Sequence, residues 1–381
     1  MAKNTKVVTI VGTRPELIRL SRVIAALEQH TDHRLVHTGQ NYDRELNEVF
    51  FEELGLPAPS YYMGVDTGSL GAMLGNILIE TEKVLAAEKP DAVLILGDTN
   101  SAISGVMAKR MKIPVYHMEA GNRCFDSNVP EEINRRLVDR ISDFNLVYTE
   151  HARRHLLSEG MPHRRIYLTG SPMKEVLDYH RDAIEQSPVM REIGVAEGEY
   201  FLVSMHREEN VDDRKNLSAL VTALHDLADT YSWPVIVSTH PRTRKRLEDF
   251  GVNEQREDIR FLRPFGFFAY NKLQMKAGCV LSDSGTITEE SSLLGFPAVT
   301  IRKAMERPEG LDTGSIILTG LDPAVIVDAV GVVMEQRKAE WIPPLPADYQ
   351  IANVSQRVVN LIIGTAHLSN EWEGISSPGT D

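Results

Sequence analysis

Three acidic residues in the first half of the chain occupy positions where they could act as acids or bases. Asp98 follows the apolar run Ala92–Leu96, Glu119 follows the next such run, and Glu131 comes directly after a proline. General acid–base catalysis requires side chains that take up and release protons at a substrate. Helix N-caps and ion pairs along a helix use the same carboxylates, so both interpretations stay open at this level.

A segment in the second half of the chain has the pattern of an anion site. The apolar run Cys279–Ser282 is followed by Ser284, Gly285 and Thr286, where a helix is predicted to begin. Backbone N–H groups at a helix N-terminus bind anions, and a glycine lets a phosphate approach closely. Arg307 follows the next predicted strand and is expected near the same edge. The Gly-x-x-x-x-Gly-Lys-Ser/Thr pattern of P-loop NTPases is absent from the sequence.

Further polar residues stand at the ends of other predicted strands. Arg14 lies in the turn after the first strand, and His206 follows the first strand of the second half. A surface arginine and a structural histidine are the alternatives to a binding role. His117 and Glu119 form a His-x-Glu pattern that zinc deaminases also have, but the Pro-Cys-x-x-Cys of those enzymes is absent. The sequence therefore predicts no metal site.

Short apolar runs alternate with longer amphipathic segments along the whole chain. Lys6–Val11 and Ala92–Leu96 are typical of buried strands, and helices are predicted between such runs. This alternation predicts an α/β fold with parallel sheets covered on both faces. It is interrupted near Gly170 and then begins again, which indicates two doubly wound domains facing a cleft. Such sheets bind ligands at the carboxyl ends of their strands, where the polar residues described above are predicted.

Length and composition limit the possible classes of protein. With 381 residues, 42% of them hydrophobic and 25% charged, the chain has enough apolar material for two globular cores. A net charge of −13 argues against a nucleic-acid or anionic-membrane partner. Two cysteines, and no apolar run long enough for a signal peptide or a membrane span, predict a cytoplasmic protein.

Taken together, the polar segments resemble the signatures of the non-hydrolysing UDP-N-acetylglucosamine 2-epimerase family. The family's GTRPE, GDT, H-x-EAG-x-R, PEE-x-NR, HR-x-EN, DSG-x-x-x-EE and ERPEG elements occur in this order between Gly12 and Gly310. An ordered set that spans nearly the whole chain is highly specific. The resemblance implies a GT-B architecture of two Rossmann-like domains, a homodimer, a UDP-sugar substrate, and no metal or other cofactor.

The sequence pattern indicates domain boundaries, and the resemblance implies the return of the C-terminal helix to the first domain and a reaction. Residues 1–170 are expected to form the first domain, joined by a C-terminal helix at 353–364, residues 171–352 the UDP-binding domain, and residues 365–381 a loose tail. In the family's reaction, C2 of the sugar loses its proton while the C1–O bond to UDP breaks. UDP then adds back to the 2-acetamidoglycal after protonation from the opposite face. Such an isomerase supplies precursors for surface polysaccharides.

Candidate residues carry over from the family by position. Asp98, Glu119 and Glu131 match the acid–base carboxylates, with Glu131 preferred to Glu132 as the first glutamate of its element, and His206 supports the diphosphate or proton transfer. The ribose is expected at Glu290 and the uracil between Phe265 and Tyr270. The full set of expected UDP-binding residues is Arg14, Phe265, Phe267, Tyr270, Ser284, Gly285, Thr286, Glu290 and Arg307.

Three segments depart from the family's usual pattern. Thr286 replaces the second glycine of DSGG, the run 121–126 replaces GLR, and the segment 40–43 differs from the element that lines an activator site, so activation by UDP-GlcNAc is not expected. The departures favour the subgroup that converts UDP-2-acetamido-2,6-dideoxy-L-talose to UDP-N-acetyl-L-fucosamine, beside the conversion of UDP-GlcNAc to UDP-ManNAc. A GT-B glycosyltransferase and a non-catalytic UDP-sugar sensor remain as alternatives.

Overall fold

The computed structural model describes residues 4–40, 51, 53–252 and 256–375. The chain divides into two units, Met1–Leu177 with Asp348–Asp381, and Asp178–Ala347. Of the segment that departs from the activator element, residues 41–43 lie outside the described residues, as do residues 376–381 of the expected tail.

The first unit is built on a parallel sheet. Its strands are β1 (Lys6–Val11), β2 (Asp32–His37), β3 (Tyr61–Tyr62), β4 (Ala92–Leu96), β5 (Val115–Met118), β6 (Phe144–Val147) and β7 (Ile166–Leu168). Their order in the sheet is β3-β2-β1-β4-β5-β6-β7, and neighbouring strands pair in parallel. The central strand β4 is buried along its whole length, because helices cover both faces of the sheet.

The second unit repeats this arrangement with a smaller sheet. Its strands are β8 (Phe201–Ser204), β9 (Val235–Ser238), β10 (Ile259–Leu262), β11 (Cys279–Ser282), β12 (Ala298–Thr300) and β13 (Ile317–Leu318). They are ordered β10-β9-β8-β11-β12-β13, again with parallel pairing. Both sheets therefore have the strand order of the Rossmann fold, with the reversal beside the first strand of each unit.

Helices connect the strands in both units. Those described from end to end are α1 (Arg14–His30), α2 (Leu70–Glu88), α3 (Ser104–Arg110), α4 (Pro130–Ile141), α5 (Glu150–Ser158), α6 (Met173–Tyr179), α7 (Arg181–Gln186), α8 (Val189–Ile193), α9 (Glu208–Val211), α10 (Arg214–Tyr231), α11 (Pro241–Phe250), α12 (Phe267–Lys276), α13 (Ile287–Leu294), α14 (Glu309–Asp312), α15 (Pro323–Lys338) and α16 (Val354–Trp372). Short 3₁₀ turns lie at Asn100–Ile103, His163–Arg165 and Ala347–Gln350. Prolines begin several helices, since the first turn needs no backbone N–H there.

The C-terminal helix α16 packs against α1 in the first unit. The expectation of a loose tail from residue 365 is wrong for residues 365–372, which continue the helix. Ala366 and Ser369 keep the helical spacing of the buried face, and the ring of Trp372 lies 6.4 Å from that of Phe144. Buried contacts of this kind stabilise the helix enough for it to continue past Gly364, a residue that disfavours helix.

The predicted α/β class, with two doubly wound units, is confirmed. Each unit has apolar residues of its strands and covering helices in a core of its own. Among the described helices, none combines the length and apolar character needed to cross a membrane.

Candidate active site

The strand order of the first unit reverses between β1 and β4, which are paired neighbours. The segment 12–13 leads from β1 into α1, and the segment 97–99 leads from β4 into the 3₁₀ turn Asn100–Ile103. In open α/β sheets the crevice at such a point is where ligands bind. Two of the predicted residues lie at these strand ends: Arg14, half-buried, is the first residue of α1, and Asp98 directly follows Gly97.

A buried glutamate, Glu16, joins the two loops. Its carboxylate accepts hydrogen bonds from the backbone N–H of Gly12 at 3.0 Å and from the hydroxyls of Thr13 at 2.7 Å, Thr99 at 3.2 Å and Ser101 at 2.5 Å. Burial raises the pKa of Glu16, although these hydrogen bonds oppose the shift. Glu16 was not among the predicted site residues. Thr-x-x-Glu at a helix start is the sequence pattern of a capping box, but here the Thr13 side chain caps no backbone N–H and Glu16 accepts from Gly12 instead.

Asp98 and Glu119 are brought together by one arginine. Arg135 of α4 forms an ion pair with the Asp98 carboxylate, and its Nη2 lies 3.2 Å from Oε1 of Glu119. Its Nη1 donates to the Glu119 backbone carbonyl at 2.5 Å. A second guanidinium, that of Arg19 on α1, pairs with the other carboxylate oxygen of Glu119. The two predicted carboxylates thus belong to one network, and neither of its arginines was among the predicted site residues.

The backbone of Glu119 is in an unusual conformation. Its φ is +64°, in the left-handed region that non-glycine residues seldom adopt. Strand β5 ends just before it at Met118, whose carbonyl accepts from the Gly97 N–H at 2.9 Å. A Cβ placed on Gly97 would lie 3.8 Å from Oε1 of Glu119, so the side chain points to the loop that carries Asp98. Backbone strain held by its surroundings is typical of functional sites.

The two glutamates at the start of α4 differ in environment. Glu132 is buried, accepts from the Cys124 backbone N–H at 2.9 Å, and pairs with Arg136 at 2.7 Å. Glu131, the preferred candidate, is exposed on the same turn. Asn134 on this helix donates to the Asp98 backbone carbonyl at 3.0 Å, so α4 supports the Asp98 loop. The assignment of Glu131 stays a prediction.

The second unit has its own reversal, between β8 and β11. Asp283 directly follows β11 and is fully buried. Its carboxylate accepts from the backbone N–H groups of His206 and Arg207 at 2.9 and 3.0 Å, and from the Asn210 side chain at 3.1 Å. Burial alone would raise the pKa of Asp283, but the nearby imidazole of His206 and these hydrogen bonds outweigh it and lower the pKa to about 2.

The predicted anion turn connects β11 to α13. Ser284 Oγ lies 3.0 Å from the Thr286 hydroxyl and accepts from the Thr286 backbone N–H at 3.3 Å. Thr286 stands at φ −85° and ψ −16°, an ordinary right-handed conformation, so its position does not require the glycine usual in the family. The departure at Thr286 is therefore accommodated without backbone strain.

Two guanidinium groups lie beside Gly285. A Cβ placed on Gly285 would be 3.5 Å from Nη2 of Arg207, 3.6 Å from Oε2 of Glu306 and 3.9 Å from Nη1 of Arg302. Both arginines pair with Glu306, at 3.1 and 2.7 Å. Helix N-terminus, glycine backbone and two cations together suit a diphosphate. Neither arginine was among the predicted binding residues, although both lie close after strand ends.

Arg307 and Glu290 have buried partners. Arg307 is 4% exposed and forms an ion pair with Glu289, which is fully buried. Glu290 accepts from the Gln274 side chain at 2.6 Å. The structure therefore gives Arg307 a carboxylate partner within α13, and its contact with a diphosphate stays a prediction.

The aromatic residues expected at the uracil lie on or just before α12. Phe267 is buried beside the rings of His180 and Phe268, at 6.1 and 5.8 Å between centroids. Phe265 packs at the edge of the core cluster that contains β8 and β11 residues. Burial raises the pKa of Tyr270, whose hydroxyl also bonds to the serines that end those strands.

The next feature is the arrangement of side chains that could bind a metal ion. No group of three or more His, Cys, Asp or Glu side chains is arranged to hold an ion in the described part of the chain.

Comparison with known proteins gives a consistent result. A family model described as UDP-N-acetylglucosamine 2-epimerase matches residues 25–363. The solved structure of a UDP-N-acetylglucosamine 2-epimerase from Rickettsia bellii is 46% identical, covers 98% of this chain and 100% of that chain, and superposes with a TM-score of 0.91.

Two more distant relatives have named substrates. A UDP-N-acetylglucosamine 2-epimerase from Methanocaldococcus jannaschii is 38% identical over 89% of this chain and 94% of its own length. A solved structure of that enzyme contains UDP-GlcNAc and UDP and superposes with a TM-score of 0.88. A UDP-2,3-diacetamido-2,3-dideoxy-D-glucuronate 2-epimerase from Pseudomonas aeruginosa is 37% identical over 85% of this chain and 91% of its own length.

Proposed function

Because the chain belongs to the UDP-N-acetylglucosamine 2-epimerase family, whose members are isomerases, we propose that it inverts C2 of a UDP-linked 2-acetamido sugar. The observation that carries the proposal is the network in which Arg135 joins Asp98 and Glu119 at the reversal of the first sheet. Such a network gives acid–base groups a defined position. The second unit supplies an anion turn flanked by cations.

The proposed reaction is an elimination followed by an addition. A base takes the proton from C2, the C1–O bond breaks with its electron pair leaving on UDP, and a double bond forms between C1 and C2. The 2-acetamidoglycal is then protonated at C2 from the opposite face, and UDP adds back to C1. Atoms and electrons balance without a redox partner, since the UDP released in the first half is consumed in the second.

Acid–base work is assigned to the first unit. Asp98 and Glu119 are the inner pair, and Glu131 at the exposed start of α4 is the third carboxylate of the proposal. An elimination and its reversal require groups that act on two faces of the sugar, so more than one carboxylate is needed. Arg19 and Arg135 bind the side chain and the backbone carbonyl of Glu119, and these contacts stabilise its left-handed backbone conformation.

UDP binding is assigned to the second unit. The diphosphate is expected at Ser284, Gly285 and Thr286, where backbone N–H groups and guanidinium groups favour negative charge. His206 assists the departing diphosphate or the proton transfer. The other proposed UDP ligands are Arg14, Phe265, Phe267, Tyr270, Glu290 and Arg307.

Two substrates fit the proposal: UDP-GlcNAc, which gives UDP-ManNAc, and UDP-2-acetamido-2,6-dideoxy-L-talose, which gives UDP-N-acetyl-L-fucosamine. Names of relatives support the first, since the M. jannaschii enzyme is a UDP-GlcNAc 2-epimerase. The departures from the family pattern support the second, and the P. aeruginosa relative acts on a third UDP-2-acetamido sugar. The product would be a cytoplasmic precursor of surface polysaccharide.

A homodimer is part of the proposal. Exposed apolar side chains recur on two helices of the first unit, Leu70 and Ile79 on α2 and Ile133 and Leu137 on α4. Exposed apolar side chains can become buried when two copies of a protein associate, and a second copy of the chain is the occupant we propose. Sedimentation of the purified chain as a monomer at micromolar concentration would contradict it.

The decisive experiment follows C2 of the sugar by NMR in D2O, first with UDP-GlcNAc and then with the 6-deoxy-L-talo sugar. The proposal expects deuterium at C2 and a mixture of two epimers, with UDP returned to the sugar. Asp98→Asn should abolish the exchange, whereas Asp229→Asn, at an exposed residue of α10, should leave it unchanged.

Other outcomes point to the alternatives. Sugar transfer to an added acceptor without exchange at C2 would identify a glycosyltransferase. Tight binding with no exchange would identify a UDP-sugar sensor, and irreversible release of UDP would identify a hydrolysing enzyme.

A further inference from the structure

Asp283 lies at the strand-order reversal of the second unit and makes several hydrogen bonds there, but no role has been assigned to it so far. Its backbone N–H donates to the Ser204 carbonyl at the end of β8, and its carboxylate contacts the loop that follows β8. That carboxylate accepts from the backbone of His206 and Arg207 and from the Asn210 side chain. Since the residue is fully buried, a charged carboxylate there is stable only because these donors surround it.

The imidazole of His206 faces the same carboxylate. Its Nδ1 lies 3.0 Å from Oδ1 of Asp283, and the His206 side chain is 39% exposed. An ionised carboxylate only accepts hydrogen bonds, so Nδ1 of His206 must carry the hydrogen. The second ring nitrogen, Nε2, lies on the opposite side of the ring and is then available to accept a proton or, in the charged ring, to donate to an anion.

We propose that Asp283 is a positioning residue that holds the hydrogen of His206 on Nδ1 and presents Nε2 to the UDP-sugar. The proposal rests on the proposed function in one respect, the role of His206 at the departing diphosphate. The same carboxylate also fixes the backbone of Arg207, whose guanidinium lies beside Gly285. The buried Asp283 carboxylate thus fixes the positions of both the His206 imidazole and the Arg207 backbone at the anion turn.

Asp283→Asn is the most informative variant because it keeps the size of the side chain and replaces one accepting oxygen with a donating NH₂ group. Three N–H donors already face one oxygen of Asp283, so the amide oxygen of asparagine must stay there. The amide NH₂ then points at Nδ1 of His206 and makes it an acceptor, which moves the ring hydrogen to Nε2. A neutral imidazole in this form cannot take a proton at Nε2.

The first measurement is the nitrogen NMR spectrum of the full chain labelled in histidine, with His206→Gln to identify the His206 signals. In the unmodified chain we expect the neutral ring to carry its hydrogen on Nδ1, and in Asp283→Asn on Nε2. A neutral His206 with its hydrogen on Nε2 in the unmodified chain would overturn the proposal without any variant. The same tautomer in both proteins would also overturn it.

The second measurement is turnover. We expect Asp283→Asn to lower kcat roughly 100-fold with a smaller change in KM, in the range that general acid–base groups contribute. The double variant with His206→Gln should be no slower than His206→Gln alone, because Asp283 acts through that ring. Losses that multiply would overturn the proposal, and Asp229→Asn is the control for an exposed aspartate on α10.

Failure of this proposal and failure of the proposed function give different results. If the unmodified chain exchanges no hydrogen at C2, the proposed function fails, while the ring-nitrogen spectrum still decides the role of Asp283. If exchange occurs but the tautomer does not respond to Asp283→Asn, only the positioning role fails.

Discussion

The imidazole of His117 and the carboxylate of Asp139 are in contact inside the first unit, with Nδ1 3.0 Å from Oδ1. Both are buried, and the other ring nitrogen of His117 lies 2.7 Å from the Gly97 carbonyl oxygen. Asp139 also pairs with Arg123 at 2.8 Å and accepts from the Gly121 N–H. Burial alone would raise the pKa of Asp139, but His117 and Arg123 outweigh it and lower the pKa. The pair ties the peptide before Asp98 to the turn after Glu119.

Asp139→Asn should therefore destabilise the protein. The change removes a buried negative charge beside Arg123, which keeps Glu159 as a second partner, so losing the hydrogen bonds of Asp139 should cost about 1–3 kcal/mol. We expect a loss of that size in the free energy of unfolding, measured by urea denaturation. Asp32→Asn is the control, because its pair with Arg34 is partly exposed and such pairs contribute about 0–1 kcal/mol. Equal losses in the two variants would contradict the role of Asp139.

Asp283 should make stability depend on pH in the acid range. Its pKa in the folded protein is about 2, below the ordinary value for aspartate. A depressed pKa stabilises the fold above the unfolded-state pKa, and this stabilisation is lost as the pH falls through the folded-state value. The stability difference between the unmodified chain and Asp283→Asn should shrink by roughly 2 kcal/mol between pH 5 and pH 2. A difference that does not vary with pH would be evidence against the depressed pKa.

Arg135→Lys should impair turnover more than binding. A lysine ammonium is a single point charge and cannot hold Asp98 and the Glu119 carbonyl at once, as the guanidinium does. We expect kcat to fall on the order of 100-fold while KM changes less, since misplacement of catalytic groups by about an ångström has effects of this size. Arg140→Lys on the same helix is exposed and should behave like the unmodified chain.

Glu131→Gln and Glu132→Gln should separate chemistry from stability. Glu132 accepts from Cys124 and pairs with Arg136, so losing its charge should cost about 1–3 kcal/mol of stability. Glu131 is exposed, and its substitution should leave the melting temperature unchanged while lowering C2 exchange by roughly 10²–10⁴-fold. If Glu132→Gln alone stopped exchange in a folded protein, the acid–base role would move to Glu132.

Gly285→Ala should weaken UDP binding, whereas Gly310→Ala should lower stability. A Cβ on Gly285 meets its nearest neighbour at 3.5 Å, an ordinary contact, so the fold should tolerate it. The added methyl occupies the surface where the diphosphate is proposed, and we expect the Kd for UDP in calorimetry to rise about tenfold, or about 1.4 kcal/mol. A Cβ on Gly310 would lie 2.3 Å from Thr288, and that variant should lose stability through overpacking.

The strands and the anion turn could be predicted because local patterns define them. Lys6–Val11 and Ala92–Leu96 are strands with the predicted bounds, since continuous apolar runs of this length suit a sheet buried on both faces. The turn after Cys279–Ser282 follows from a strand, a glycine and a helix start in succession. Each of these signals lies within a few residues.

The groups that hold the carboxylates could not be predicted in the same way. Arg19 and Arg135 come from two helices far apart in sequence and meet Glu119 only because β1 and β5 lie in one sheet. The left-handed φ of Glu119 is likewise a product of its tertiary contacts, since its residue type favours other conformations. For Glu16, only the hydrogen bond from Thr13 is local; those from Thr99 and Ser101 depend on the sheet.

The packing of α16 on α1 has a consequence for synthesis on the ribosome. The last described helix completes the unit that contains the first strand, whereas residues 178–347 form the other unit in between. The face of α1 that α16 covers stays open while that middle segment emerges from the exit tunnel and folds. Domains generally fold as units during translation, so in this chain the second unit can finish folding before the first.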